Sequence, residues 1–233
     1  MSLKSLCALR RIVPLVLVAL SLFGCATVKQ PLTGIVPGRG VETLQSAVAI
    51  TAKSGEHSSG GRGYLVYKAP DLFHLALLSP FGQTVLEAFS NGDRFTCLIP
   101  SRQAAYSGVL SELPETSTLK SMSLLKWVMA PPPFSTPASA RESVVAAGDR
   151  YYFDPNGLVE RKVSQEGDEV LYEEYRNVDG VAFPESLVIR NRYGATVRIV
   201  FEEPQINAPV EESALRPELS GVVVLPLADF KAM

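Results

Sequence analysis

The residues with the most specific chemistry are Leu22-Phe23-Gly24-Cys25, which end an apolar run that begins at Ile12. A positively charged leader precedes this run, which has the length of a signal peptide rather than of a membrane span. Signal peptidases that cut before a cysteine expose an amine and a thiol for acylation, and several acyl chains together hold a protein firmly on a membrane. The sequence therefore predicts a signal peptide over residues 1 to 24 and a lipid anchor on Cys25.

The alternative for this leader is a buried first helix in which Cys25 is an ordinary residue. Pro14 would interrupt such a helix, and the run offers no polar face to solvent, so the lipid anchor is the better explanation. Ala26, and not an acidic residue, follows the cysteine. Under the sorting rule known for diderm bacteria, this arrangement predicts a protein anchored in the outer membrane and facing the periplasm.

After Cys25 the sequence shows no residue cluster that indicates an enzyme or a metal site. His57 and His74 are its two histidines, and neither belongs to a recognised catalytic motif. His57 lies in a polar turn, whereas His74 alternates with apolar residues on a predicted strand, where it faces solvent or fills a niche with satisfied hydrogen bonds. Cys97 alternates with apolar neighbours, which predicts a buried and unreactive thiol. We therefore expect no catalysis and no cofactor.

Composition narrows the class of protein further. Removal of the leader takes away three positive charges, so the formal net charge falls from −2 for the chain to −5 for the mature protein. This mild acidity argues against a nucleic-acid partner. A single cysteine remains after Cys25, which excludes an intrachain disulfide between mature residues beyond the anchor. We expect one domain held together by core packing, because a chain of about 200 residues can bury most of its unfolded surface.

Alternating apolar and polar residues dominate the sequence after residue 40 and predict a mainly β domain. The preceding residues 25 to 40 are rich in proline and glycine, which predicts a flexible tether behind the lipidated cysteine. A hairpin is predicted from Gln45–Lys53 and Arg62–Ala69, around a loop at Ser54–Gly61. Further strands are predicted at Leu72–Ser79, Gln83–Ser90, Arg94–Ile99, Arg150–Phe153, Leu158–Ser164, Val170–Arg176, Phe183–Asn191 and Ala195–Glu202.

One helix is predicted between the two series of strands. Leu119, Met122, Leu125 and Met129 recur at helical spacing and are followed by prolines from Pro131. Strands that follow one another through short turns predict a meandering sheet that curls toward a barrel, with the helix over its opening. The domain is expected over residues 41 to 220, and residues 221 to 233 are expected to form an edge strand or a tail.

The predicted strand Leu72–Leu78 is apolar on both faces. Phe73, Leu75 and Leu77 share one face, and the other face has His74 as its single polar residue. Two explanations stay open: the sheet packs on the helix on one side and on itself on the other, or the inner face of a half-closed barrel lines an apolar cavity. A cavity of that kind suits an acyl chain.

Several motifs resemble segments of the LolB family of outer-membrane lipoprotein receptors. Leu77-Leu78-Ser79-Pro80-Phe81-Gly82, with the strand after it, is similar to a strand-turn-strand segment of that family. Leu124–Met129, before prolines, is similar to the end of one of its helices. The strand at Phe183-Pro184, the Tyr193-Gly194 turn and the segment Val197–Phe201 resemble the carboxy-terminal pattern that LolA and LolB share. The order and spacing of these motifs agree over most of residues 60 to 217.

This resemblance implies an unclosed antiparallel β-barrel, or half-barrel, with a short helical lid and a hydrophobic cavity. The cavity would receive acyl chains of lipoproteins from a soluble LolA-like periplasmic carrier, without covalent chemistry. The resemblance also implies that Phe81, on a protruding turn, helps to insert cargo into the membrane. The residues expected at the cavity and the lid are Phe73, Leu75, Leu77, Leu119, Met122 and Trp127. The alternative is an anchored periplasmic sensor or scaffold that uses the same fold to bind a peptide or a partner protein.

Overall fold

The structure, a computed structural model, describes residues 32–113, 120, 121, 124–133 and 143–230. Over these residues the chain forms a mainly β domain that includes a short α-helix, α1, at Leu125–Met129. The strands are β1 Thr43–Ser54, β2 His57–Lys68, β3 Leu72–Leu78, β4 Thr84–Asn91, β5 Arg94–Ile99, β6 Ala104–Val109, β7 Val144–Ala146, β8 Asp149–Phe153, β9 Val159–Val163, β10 Glu169–Val178, β11 Val181–Arg190, β12 Thr196–Ile206 and β13 Val223–Pro226.

All of these strands belong to a single unclosed sheet. Its order is β13-β6-β5-β4-β3-β2-β1-β12-β11-β10-β9-β8-β7, so two antiparallel meanders lie side by side and join where β1 pairs with β12. We call β1–β6 the first meander and β7–β12 the second meander. Short turns join successive strands, as expected when neighbours in sequence are neighbours in the sheet. The half-barrel predicted from the sequence is confirmed.

One face of the sheet carries the core. In β1 the buried positions are Leu44, Ser46, Val48, Ile50 and Ala52, and the residues between them are more exposed, which is the period of two that a strand buried on one side requires. We call the face that these residues share the inner face. Buried residues of the same core include Leu65, Tyr67, Phe73, Phe95, Ile99, Val170, Phe183, Leu187, Val197 and Phe201.

Helix α1 lies against the inner face. Its buried residues, Leu125 and Val128, belong to the same core as the strands. The sequence predicts a longer helix that begins near Leu119, and Lys120 is helical in the structure. Leu119 and Met122, which we expect in the lid, lie outside the described residues.

The segment after β12 contacts the outer face of the first meander and then continues to the edge of the sheet and to the core. A 3-10 turn at Glu212–Leu215 contacts β2 and β3, and Leu215 is buried there. β13 then pairs in parallel with β6, so the edge strand is the correct one of the two alternatives for the carboxy terminus. Phe230 returns to the core, with its ring edge-on to Tyr106 at a centroid distance of 5.3 Å. This segment explains why β3 is apolar on both faces.

Three features differ from the sequence prediction. The loop predicted at Ser54–Gly61 is wrong, because β1 and β2 pair down to Ser54 and His57. Backbone pairing stabilises these residues despite their small side chains, and a Cβ at Gly63 would overlap the Ala76 carbonyl group of β3. The strands β6 and β7 are not predicted, because β6 consists mainly of small residues that do not alternate clearly and β7 has only three residues.

The end of the expected tether is held against the domain. The amide of Val36 donates to the Gly180 carbonyl oxygen at 2.8 Å, and Asn177 Nδ2 donates to the Thr33 carbonyl oxygen at 2.7 Å. Residues in this part of the chain therefore contact the β10–β11 turn. The domain boundaries at residues 24, 40 and 220 stay predictions.

Candidate functional site

The inner face of β3 contains three of the residues expected to contact a ligand. Phe73 and Leu75 are fully buried, whereas Leu77 is partly buried and packs against the core. The rings of Phe73 and Phe95 meet edge to face at a centroid distance of 6.2 Å. The structure therefore brings these side chains together on one apolar surface, where they contact other residues of the chain.

The carboxy-terminal end of α1 is fastened to the second meander by hydrogen bonds. A short helix leaves its last carbonyl groups without partners inside the helix. Lys162 Nζ, on β9, donates to the Trp127 carbonyl oxygen at 2.7 Å, and the Tyr172 hydroxyl, on β10, donates to the Val128 carbonyl oxygen at 2.7 Å. Side chains from two adjacent strands thus satisfy these carbonyl groups and position the helix.

Trp127 forms a polar cluster with half-buried Asp149 of β8 and buried Lys162 of β9. Its indole Nε1 donates to Asp149 Oδ2 at 2.7 Å, and Lys162 Nζ lies 3.4 Å from the same carboxylate oxygen. The ammonium group also lies 4.5 Å from the centroid of the Trp127 ring, within the range of a cation–π interaction. Burial lowers the pKa of Lys162, opposed by the Asp149 carboxylate, and burial raises the pKa of Tyr172 well above its usual value.

Sequence reasoning finds Trp127 but misses its partners. Asp149, Lys162 and Tyr172 come from three different strands, and each has a charged residue directly beside it in sequence. No local pattern distinguishes them from solvated strand residues. Their common role follows from the register of β8, β9 and β10, which places all three beside α1.

Phe81 lies at the tip of the turn between β3 and β4. The Ser79 amide donates to the Gln83 carbonyl oxygen at 2.8 Å, and the Ser79 hydroxyl accepts from the amides of Phe81 and Gln83 at 3.3 and 3.2 Å. Gly82 has a φ of +79°, a conformation that glycine adopts without strain. The Phe81 side chain is 91% exposed. A well-defined turn therefore presents a large apolar group to the surroundings.

The turn of Phe81 and the segment at Thr33 and Val36 lie at opposite ends of the sheet. β3 begins opposite Lys68 of β2 and ends opposite Arg62, which is nearer the turn between β1 and β2. Phe81 follows β3 and therefore lies at the same end of the sheet as that turn. Thr33 and Val36 contact the β10–β11 turn, at the other end of the strands. A seven-residue strand spans roughly 23 Å, so the two features are well separated.

The outer face of β3 carries His74 in a satisfied niche, one of the two alternatives given by the sequence. Its Nδ1 lies 2.8 Å from the Ala214 carbonyl oxygen and its Nε2 lies 2.9 Å from Glu87 Oε2. The imidazole stacks on the Phe89 ring at a centroid distance of 4.1 Å. These contacts attach the carboxy-terminal segment to β3 and β4, which explains the histidine as a structural residue.

Cys97 is fully buried in the core, as its alternation predicts. Burial raises the pKa of its thiol to about 12, so the thiol stays protonated at neutral pH. Within the described ranges, no group of three or more histidine, cysteine, aspartate or glutamate residues is placed to hold a metal ion. No helix in this part of the chain is long and apolar enough to span a membrane.

Solved structures share the fold of this chain. The chain is similar to a putative outer membrane lipoprotein-sorting protein domain from Vibrio parahaemolyticus, with 11% identity over 76% of this chain and 90% of that one and a TM-score of 0.50. It is also similar to a DUF1329 family protein from Desulfovibrio piger, with 11% identity over 76% and 92% of the two chains and a TM-score of 0.50. At such identities the likeness shows the fold.

A third structure, of a LolA superfamily protein from Nitrosomonas europaea, is 12% identical over 78% of this chain and 92% of that one, with a TM-score of 0.48. A search of curated proteins found no significant match. The family described as "Outer membrane lipoprotein LolB" matches residues 43–203, which include β1 to β11 and most of β12. The chain belongs to the LolB family, and its membership supports a role in lipoprotein localisation.

Proposed function

We propose that this protein is a lipid-anchored receptor of the outer membrane, which holds acyl chains of lipoproteins against its inner face and helps to insert them into the membrane. The observation that carries the proposal is the exposure of Phe81. Its side chain is 91% exposed on a turn that hydrogen bonds hold in one conformation. Leaving a phenylalanine in water forgoes roughly 1.5–3 kcal/mol of burial, so contact with an apolar partner recovers that free energy.

The inner face supplies the surface on which acyl chains would lie. Phe73, Leu75 and Leu77 belong to a continuous apolar core, and α1 covers part of the same face. Acyl chains enter as α1 moves away from the strands. Burial of a chain of about 15 carbons gains at most about 12 kcal/mol, at about 0.8 kcal/mol for each methylene. A receptor that covers its cargo incompletely holds it less tightly and can release it.

The proposal includes a lipid anchor on Cys25 and a carrier protein that delivers the cargo. Acyl chains on Cys25 would hold the receptor at the membrane that receives the cargo, after removal of residues 1 to 24. The cargo arrives from a soluble LolA-like periplasmic carrier, as the resemblance to the LolB family implies. No bond is made or broken, because the acyl chains transfer from one apolar surface to another.

Replacement of Phe81 tests the proposal. We expect Phe81→Asp to fold normally and to slow the transfer of an acylated lipoprotein into liposomes at least about tenfold, because a carboxylate opposes insertion into the bilayer. Phe81→Leu keeps the apolar contact and should transfer cargo at close to the wild-type rate. Val145→Asp is the matched control, since Val145 is 62% exposed on β7 and receives the same charge.

Wild-type transfer rates for Phe81→Asp would remove this residue from the mechanism. If the purified wild-type protein instead carries a stable protein partner and neither binds nor transfers acylated cargo, the receptor proposal fails and the anchored scaffold replaces it.

A further inference from the structure

Arg176 is placed on the inner face of the second meander. It lies on β10 directly opposite Phe183 of β11, and residues opposite each other in an antiparallel pair share a face. Phe183 is buried in the core, where its ring meets Phe201 at a centroid distance of 4.9 Å. Arg176 therefore shares the face of the core residues, and its side chain is 37% exposed there.

Two of the three guanidinium nitrogens of Arg176 have no hydrogen-bond partner among the residues that the structure describes. Nη1 lies 3.7 Å from Glu185 Oε1, whereas Nε and Nη2 are buried and make no hydrogen bond. The Nε and Nη2 hydrogens lie on one edge of the planar group and point the same way. Together they form a fork of two donors, which suits two acceptor oxygens or one group that carries both.

This arrangement differs from that of the arginines on the outer face. Arg198 reaches Glu173 at 2.8 Å and Arg190 reaches Glu169 at 2.9 Å, so both guanidinium groups are paired within the chain. Buried donors are almost always paired, because an unpaired donor forgoes the hydrogen bonds that it makes in water. The empty fork of Arg176 is therefore an unusual feature that a ligand with acceptor oxygens would explain.

We propose that the Arg176 fork binds the ester carbonyl oxygens of a diacylglyceryl group whose acyl chains lie on the inner face. The inference rests on the proposed function and adds recognition of the polar end of the cargo lipid. A neutral acceptor fits better than an anion, because Glu185 already balances the charge of Arg176 and Glu174 adds a second carboxylate on the same strand. The apolar neighbours Phe183 and Val178 suit the adjoining methylenes.

The Nε and Nη2 atoms are buried although the Arg176 side chain is 37% exposed, so the ligand must displace the atoms that cover this edge of the guanidinium group. Ester carbonyls that reach Nε and Nη2 then supply the hydrogen bonds that these donors lack. An acyl chain without carbonyl groups gains burial and leaves the fork unpaired. Arg176 is thus a residue that would distinguish ester-linked lipids from hydrocarbon of the same length.

Paired ligands test this assignment. The full-length protein in dodecyl maltoside is titrated calorimetrically with 1,2-dioctanoylglycerol and with its diether analogue 1,2-dioctylglycerol, after subtraction of binding to micelles alone. We expect the wild-type protein to prefer the diester about tenfold, as one hydrogen bond to a charged donor commonly gives. Arg176→Met should bind the two ligands equally. Arg190→Met, the same change on an exposed residue of β11, should keep the wild-type preference.

Each other outcome overturns the assignment in a recognisable way. Equal affinity of the wild-type protein for the diester and the diether removes the role of Arg176 while acyl binding stands. Tighter binding of dioctanoyl phosphatidate that Arg176→Met abolishes would make the ligand an anion. Binding of none of these lipids overturns both the inference and the receptor function on which it rests.

Discussion

The two meanders have the same antiparallel topology, yet different interactions stabilise them. In the first meander, apolar side chains are buried on both sides of the sheet. Phe73 and Leu75 lie on the inner face, while Phe89 and Leu98 are buried on the outer face. The carboxy-terminal segment, held to β3 through His74, contributes to this outer covering.

In the second meander, charged and polar contacts take a larger part. Its outer face carries ion pairs such as Arg198 with Glu173 at 2.8 Å and Arg161 with Glu169 at 3.2 Å. Its inner face contributes Lys162 and Tyr172 to α1 as hydrogen-bond donors. The comparison indicates that the first meander is stabilised by apolar burial on both faces, whereas the second combines an apolar inner face with polar contacts that position the helix.

The largest expected effect is the loss of an aromatic side chain from the first meander. Phe73→Ala should reduce the free energy of unfolding by about 3–5 kcal/mol, because Phe73 is fully buried and the substitution leaves a cavity. Urea unfolding followed by circular dichroism measures the change. Phe81→Ala is the matched control and should be close to neutral, since the Phe81 ring is 91% exposed. Equal effects of the two substitutions would contradict the assigned core.

Alkaline pH should distinguish the inner face of the first meander from that of the second. Titration of Cys97 in the first meander and of Lys162 in the second should change the free energy of unfolding with opposite signs. Burial raises the pKa of Cys97 to about 12 from an ordinary value of 9.0, so the unfolded chain loses this proton first and stability falls as pH rises through that window. Burial lowers the pKa of Lys162 below its ordinary 10.5, so the unfolded chain holds this proton longer and the contribution of Lys162 to stability rises with pH up to that value.

Urea unfolding at several pH values between 8 and about 11 tests this difference. Relative to Cys97→Ala, the wild-type protein should lose about 1.4 kcal/mol for each pH unit above about 9. Relative to Lys162→Met, the wild-type protein should gain free energy of unfolding as the pH rises toward the ordinary lysine pKa of 10.5. The buried tyrosines are common to all three proteins and cancel in the differences. Parallel pH profiles for wild type and both variants would show that neither group is buried as described.

The smallest effect is expected on the outer face of the second meander. Arg198→Met removes the ion pair with Glu173, and both side chains are more than a third exposed. Solvent screens such a pair, so the loss should stay below about 1 kcal/mol and shrink further in high salt. Thermal unfolding at low and high salt measures it. A cost as large as that of Phe73→Ala would mean that the ion pairs contribute as much stability as the apolar core.

Patterns within the sequence predicted most of the strands because residues in a one-sided strand alternate every second position. The burial of Cys97 and the shared face of Phe73 and Leu75 agree with alternation alone, while the contact of these two residues with acyl chains stays a prediction. The loop predicted at Ser54–Gly61 was wrong, because backbone pairing, which leaves no trace in side-chain pattern, extends β1 and β2 through it. The exposure of Phe81 agrees with its place between proline and glycine, while its role in the membrane stays a prediction.

The sequence by itself determined the β character of the domain, the faces of its strands and the family to which its motifs belong, because these depend on the order of residue types. The tertiary structure alone decided which distant residues meet. Three strands bring Lys162, Tyr172 and Asp149 to α1. Arg176 lies on the inner face with two donors that have no partner among the described residues. Strand register, rather than local sequence, sets both arrangements.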